Sequence, residues 1–356
     1  MKLSAALSFL CILQATFLLS QPAAEELLRT TNNFENRLFE RLSQGDTSHL
    51  GLLLAASGRV DSTTYTQHLA ELEHILLSLD SARLRRKSPK KQVRKIFESV
   101  HDELLRKYAL ENQFVEIFET GNYNCVSATA VYCFMMDGLG IPYAVMESPN
   151  HVYAIAFVED EQWVMESTDP QQGNYELDED LYEEQLEALI AQKLITPEQA
   201  QSEKIDSILQ SIFPNRPIST ADLVSFQYAN QAIYDFEDAK TYGAFQNALK
   251  SYLISRNAYQ EQLFIESLGI WLGENDYENP VFFDAAAFFL NTDTIQNEPD
   301  FIENSFIYYG NQWLVDSITG KVYELMFEAY QAGTSAQSEL RTKIAMIYHL
   351  IKAEKH

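Results

Sequence analysis

The sequence predicts an α+β protein with a helical lead-in, a middle built from one helix and a small antiparallel sheet, and an all-helical C-terminal region. Three observations carry this. Apolar residues recur at three- and four-residue spacing through the first third, as in Leu69, Leu72, Ile75, Leu76 and Leu79. In the middle, that spacing gives way to short apolar runs bounded by turn residues. Beyond Pro214-Asn215-Arg216-Pro217 the helical spacing returns, now rich in Tyr and Phe. With 46% hydrophobic residues in a chain of 356, there is enough apolar side chain for two domains or a single large one.

The first element is a leader. Met1-Lys2 precedes an apolar run from Leu3 to Leu19, followed by Ser20, Gln21, Pro22, Ala23 and Ala24, the pattern of a secretory signal peptide over residues 1–20 with cleavage between Ser20 and Ala24. Cys11 sits inside the apolar run behind the bulky Leu10, which argues against a lipoprotein site. The protein is therefore expected to be exported, periplasmic or secreted. No later stretch is long and charge-free enough to cross a bilayer, so no membrane partner is expected after cleavage. Lys plus Arg number 26 against 51 Asp plus Glu, a net charge of −25 that repels phosphate backbones and excludes nucleic acid as a partner. The basic run from Arg83 to Lys95 opposes that trend and reads as a solvated loop and helix face.

Residues 25–90 form the helical lead-in, and helical spacing continues to about residue 118. One helix carries Val93, Ile96, Phe97, Val100, Leu104, Leu105 and Tyr108, with Pro89 suited to its first turn. The core is placed at 91–180. Gly121-Asn122-Tyr123-Asn124 forms a turn, and Asn124 is a good N-cap for a helix from Cys125 to about Leu139, ended by Gly138 and Gly140. Strands are expected at Tyr143 to Glu147, His151 to Val158 and Gln162 to Glu166, the last two joined across Glu159-Asp160-Glu161. An acidic helical stretch over 176–184 follows. The final region, 215–356, opens with a helix capped by Ser219 and continues with helices at Phe282–Leu290, Phe301–Leu314 and Val322–Tyr330.

The chemistry lies in the core. A cysteine in the first turn of a helix faces unpaired backbone N–H groups and the positive end of the helix dipole, which favour thiolate and can hold an oxyanion. An imidazole on the next strand can take the thiol proton, and a carboxylate on the strand after that can fix its tautomer. Cys125, His151 and either Glu166 or Asp169 supply these groups in that order.

Asn124-Cys125-Val126-Ser127-Ala128-Thr129-Ala130, Leu139-Gly140-Ile141-Pro142, His151-Val152-Tyr153, Trp163 and Glu166-Ser167-Thr168-Asp169-Pro170 resemble the transglutaminase-like core, over roughly residues 90–175. The resemblance implies a papain-like fold in which Cys125 attacks a carbonyl and His151 relays the proton. It also implies an acid that follows a Trp and begins an Asp-Pro-Thr-like turn. Two carboxylates compete for that place: Glu166 has close to the right distance from His151, whereas Asp169-Pro170 before Gly173 better resembles the turn and is preferred. Three positions apart on a regular strand, they face opposite sides, and a bulge at Ser167 or Thr168 would reverse the preference.

Other candidates read as structure. Cys133, mid-helix among Val131, Phe134 and Met135, is a core residue, and His101 is a structural histidine. On one helix, Cys125 and Cys133 stand ~12 Å apart, beyond disulfide reach. No ligand spacing supports a metal, and no cofactor is expected. A second oxyanion donor is sought among Tyr123, Asn124 and Gln113. Tyr228-Ala229-Asn230-Gln231-Ala232, with Ala239, Tyr242, Ala248 and Tyr252, resembles tetratricopeptide-type hairpins over about 220–270, so the C-terminal helices could hold a protein partner. Their Tyr and Phe residues read mainly as core. Two functions remain: a cysteine-dependent peptide or amide hydrolase or acyltransferase, and an inactive transglutaminase-like scaffold that binds a peptide or protein.

Overall fold

The computed structural model describes residues 23–45, 48–79, 81–149, 151–168, 173–177 and 215–356, with isolated positions between 187 and 196. The signal peptide, Asp169 and most of the acidic 176–184 stretch lie outside the described residues. The fold is mixed α+β with a small antiparallel sheet. The chain divides into two compact units.

The larger unit spans Thr30–Ala239 and Lys250–Gln260. Its lead-in helices are α1 (Asn33–Ser43), α2 (His49–Ala55), α3 (Ser62–Ser78) and α4 (Pro89–Glu103). Each start has a local cause. The Asn32 side chain accepts from the N–H groups of Phe34 and Glu35, Asp61 does the same for Thr63 and Thr64, and Pro89 occupies the first turn of α4, where its missing N–H costs nothing. Strand β1 (Lys107–Tyr108) then pairs in parallel with β2 (Asn122–Tyr123). Sequence spacing reads the first of these as helix and the second as turn, because two-residue strands leave no alternation to detect.

Helix α5 (Cys125–Leu139) is the centre of this unit. Val126, Ala128, Val131, Tyr132, Cys133, Met135 and Met136 are all buried, so the helix is apolar nearly all round and is covered on several sides. It packs against α3, α4, β4 and α6 (Thr220–Glu237). Gly140 ends it in the left-handed region at φ 66°, and Gly138 lies two residues before it, within the last turn.

Strands β3 (Tyr143–Ser148), β4 (His151–Val158), β5 (Glu161–Met165), β6 (Asn174–Glu176) and β7 (Arg216–Ile218) form a five-stranded sheet in the order β6-β5-β4-β3-β7, antiparallel throughout. Pairing of Ser148 with His151 closes the β3–β4 hairpin at its tip. The edge strands are additions to the sequence reading. Arg216–Ile218 falls in the segment read as a break, and it pairs with β3 at the sheet edge, where Pro217 is tolerated.

The smaller unit contains Lys240–Leu249, Glu261–His356 and the described residues up to Arg29. The longer helices from Thr241 onward are α7 (Thr241–Ile254) and α8 (Ala258–Leu272), which share Lys250–Gln260 with the larger unit, then α9 (Phe282–Leu290), α10 (Pro299–Leu314), α11 (Gly320–Gly333) and α12 (Ser338–Lys355). Many of their aromatic residues are packed core, while Tyr259, Phe301 and Tyr308 are exposed. Phe245 stacks on Trp271 at 5.0 Å and Phe306 on Tyr323 at 5.5 Å, with all four rings buried.

Candidate active site

The site begins with the way the chain enters α5. The Asn124 side chain accepts from Ser127 N–H at 2.9 Å while the Ser127 hydroxyl takes the Asn124 N–H at 2.9 Å, a reciprocal capping box. The Asn124 amide also donates to the carbonyls of Leu110 and Asn112 at 3.2 and 3.4 Å, and Gln227 on α6 donates to the same Asn112 carbonyl at 3.3 Å. Asn124, Asn112 and Gln227 are all buried, so these hydrogen bonds are shielded from water. It puts Cys125 at the first position of the helix, 9% exposed. The capping box satisfies Ser127 N–H, while those of Cys125 and Val126 have no partner within the helix by its geometry.

His151 opens β4. Its Nε2 lies 2.5 Å from Glu166 Oε2, and the Cys125 thiol is the neighbour that acts most strongly on its ring. With Nε2 taken by the carboxylate, Nδ1 is the nitrogen left for sulfur. Strand register explains the acid. Ala154 pairs with Met165, and one step further Glu166 falls opposite Tyr153, on the face that His151 shares; the two rings stack at 6.1 Å. Glu166 is thus the diagonal neighbour of His151, a separation that long side chains span. Its second oxygen is occupied by the Thr168 N–H at 2.9 Å and the Thr168 hydroxyl at 2.6 Å, which fixes the carboxylate plane.

The electrostatics follow from these contacts. The interaction with Cys125 first, then the hydrogen bond with Glu166, pushes the His151 pKa up to about 10 against the opposing effect of burial. Burial pushes the Glu166 carboxyl up, but the hydrogen bonds from His151 and Thr168 together outweigh it and hold the group below its ordinary value. Both side chains are mostly shielded, 25% and 18% exposed.

Cys125 and His151 line a cleft of about 490 Å³. One wall is α6, through Phe226, Ala229, Asn230, Ile233 and Tyr234; the Tyr234 hydroxyl donates to the Leu110 carbonyl at 2.8 Å. The three side chains considered as a second oxyanion donor are committed elsewhere: the Tyr123 hydroxyl to the Ser167 carbonyl, the Asn124 amide to Leu110 and Asn112, and the Gln113 amide to Gln231. Cys133 is buried deeper in α5, its thiol pushed up to about 12 by desolvation. Burial lowers the His101 pKa, and its ring rests 4.5 Å from Phe97. Among the described residues, no group of three His, Cys, Asp or Glu side chains gathers as a metal site.

Sequence order brings Cys125, His151 and either Glu166 or Asp169, the latter preferred, into one site; the structure sets Glu166 against His151, and Asp169 lies outside the described residues. Sequence order misses Asn112, Gln227 and the α6 wall, which lie far from Cys125 in sequence and carry no motif. No family model, no curated protein and no solved structure matches the chain.

Proposed function

We propose that the protein is a thiol enzyme of transglutaminase-like, papain-fold type, an exported peptide or amide hydrolase that works through Cys125, His151 and a carboxylate. The observation that carries this reading is the chain of contacts from the Cys125 thiol to His151 and from His151 Nε2 to Glu166 at 2.5 Å, opening on a cleft. Such a nucleophile, base and orienter in hydrogen-bond reach of one another is the arrangement of covalent catalysis. The leader-like residues 1–20 support export, and the helices from Thr220 onward support a tetratricopeptide-like region able to hold a protein partner.

The reaction then runs in two halves. The Cys125 sulfur attacks the carbonyl carbon of a bound amide while His151 holds the thiol proton on Nδ1. The N–H groups of Cys125 and Val126 receive the developing oxyanion. The C–N bond breaks as His151 gives its proton to the departing amine, leaving a thioester. Water then adds to that carbonyl and passes a proton to His151; the C–S bond breaks, the acid product is released, and the sulfur of Cys125 takes the proton back from His151. An amine in place of water gives amide exchange. Throughout, Glu166 keeps Nε2 engaged and stabilises the imidazolium.

Iodoacetamide alkylation at about pH 6.5, read at Cys125 by mass spectrometry, tests the reading. Wild type is expected to react at least about tenfold faster than His151→Ala, because an imidazole that keeps its proton supports the sulfur as a nucleophile. Slow alkylation that is the same in both proteins refutes the enzyme and leaves a scaffold with an inert core.

A further inference from the structure

We infer that the cleft selects a substrate carrying a long aliphatic cation, a lysine- or arginine-type side chain, beside the reacting carbonyl. The inference rests on the thiol-enzyme reading above and adds the substrate's charge to it.

Three carboxylates, Glu111, Glu147 and Glu237, line the cleft that holds Cys125, and no Lys or Arg side chain does. Glu147 is held by Arg216 at 2.6 Å. Glu111 and Glu237 differ from it: among the described residues neither has an ion-pair partner, and both are exposed. Tyr234 stands in the same neighbourhood, for its hydroxyl is raised to about 12 by burial first, then by the Glu111 charge, with Cys125 and Glu237 adding to the effect. The two carboxylates and the nucleophile therefore act on one region of space.

The rest of the lining explains why the cation should be long. Ile233 and Tyr259 stay 36% and 53% exposed on the cleft, and Phe226 lines it beside them. Exposed apolar and aromatic surface next to unpaired carboxylates suits a methylene stem ending in a charge, since the stem covers the apolar wall while the head reaches the acids. Aromatic faces add attraction for a cation. An anionic side chain would meet uncompensated negative charge in a partly desolvated cleft and be rejected. The net charge of −25 extends the same bias to the approach of the substrate.

Peptidyl chloromethyl ketones that differ only in the side chain next to the ketone, lysine, norleucine or glutamate, test this on the full protein. Each alkylates Cys125 with formation of one S–C bond and release of chloride, so the rate needs no known substrate. The lysine probe is expected to react about tenfold faster than the norleucine probe at about 0.02 M salt, and the glutamate probe slowest, with the lysine advantage shrinking at about 0.5 M salt. In the double variant Glu111→Gln, Glu237→Gln the lysine-to-norleucine ratio should fall to near one. Equal lysine and norleucine rates in wild type, or a ratio that survives both the double variant and high salt, overturns the inference. Labelling that misses Cys125, or that is indifferent to His151→Ala, overturns instead the reading beneath it, so the two failures are told apart.

Discussion

Replacing Glu166 by Gln removes one charge at constant volume, and the cost should depend on pH in a defined sense. In the folded protein His151 is raised from 6.5 to about 10. At about 1.4 kcal/mol per pH unit, that rise would favour the imidazolium by at most about 5 kcal/mol. The Cys125 contact is the larger cause, and solvent at the cleft mouth screens the remainder, so the share belonging to Glu166 is about 1–2 kcal/mol. The sign follows from linkage. A group raised on folding contributes stability that is fully present below its unfolded value of 6.5 and is lost as pH rises toward about 10. Glu166 stays ionised throughout that window, because its folded value lies below the ordinary 4.5. Urea denaturation of wild type and Glu166→Gln should therefore differ by about 1–2 kcal/mol near pH 6 and by clearly less near pH 10. The amide can still accept from Thr168, so the local turn persists in the variant. A difference that is constant with pH, or that grows toward alkaline pH, would refute the charged pair as the source of His151's raised value.

Two further perturbations probe what holds the site. Asn124→Ala removes the capping box and the amide that ties α5 to Leu110 and Asn112, and should cost about 2 kcal/mol in urea denaturation; Asn124→Asp, which keeps the cap but not the donors, should lose less, and in both the Cys125 alkylation rate should drop. Lys250→Met strips the partner from Glu35, which is 1% exposed and meets the Lys250 ammonium at 3.0 Å, so it should destabilise by about 3–5 kcal/mol. Adding Glu35→Gln should recover part of that loss, since the amide oxygen can still accept from Thr31 or Tyr228; a single variant as stable as wild type would contradict the buried pair.

How much of this was legible in the sequence depended on the range of the interaction that fixed each element. The start of α5 is local. Asn124 and Ser127 cap each other across three residues, so the helix from Cys125 to Leu139 is readable in one turn of sequence. The β4–β5 hairpin is almost as local, joined through Glu159 at φ 56° and Asp160. Edge strands are different. Arg216–Ile218 is a strand only because β3 offers it a free edge, and a three-residue run containing Pro217 has no pattern of its own. The same holds for Gln227, whose part in fixing Asn112 depends on where α6 packs rather than on its neighbours in sequence.

The acid of the site shows where local reading ends. Alternation along β5 says that Glu166 and Asp169 face opposite sides of a regular strand, but alternation carries no information about which position lies across from His151. That is set by hairpin register: Val158 pairs with Glu161 at the turn, and each pair counted back from it, through Ala154 and Met165, carries the match toward the open end. A turn longer or shorter by one residue would shift Glu166 by one position and turn its side chain to the other face. Shifted in this way, the turn of β5 into Ser167 and Thr168 would present its carboxylate away from the imidazole. The acidic hairpin Glu159-Asp160, remote from the thiol, is thus a positioning element of the Glu166–His151 contact. Inserting one glycine there should break that contact and lower the His151 titration midpoint, followed by NMR, by about one unit from about 10, the rest being held up by Cys125, which is untouched.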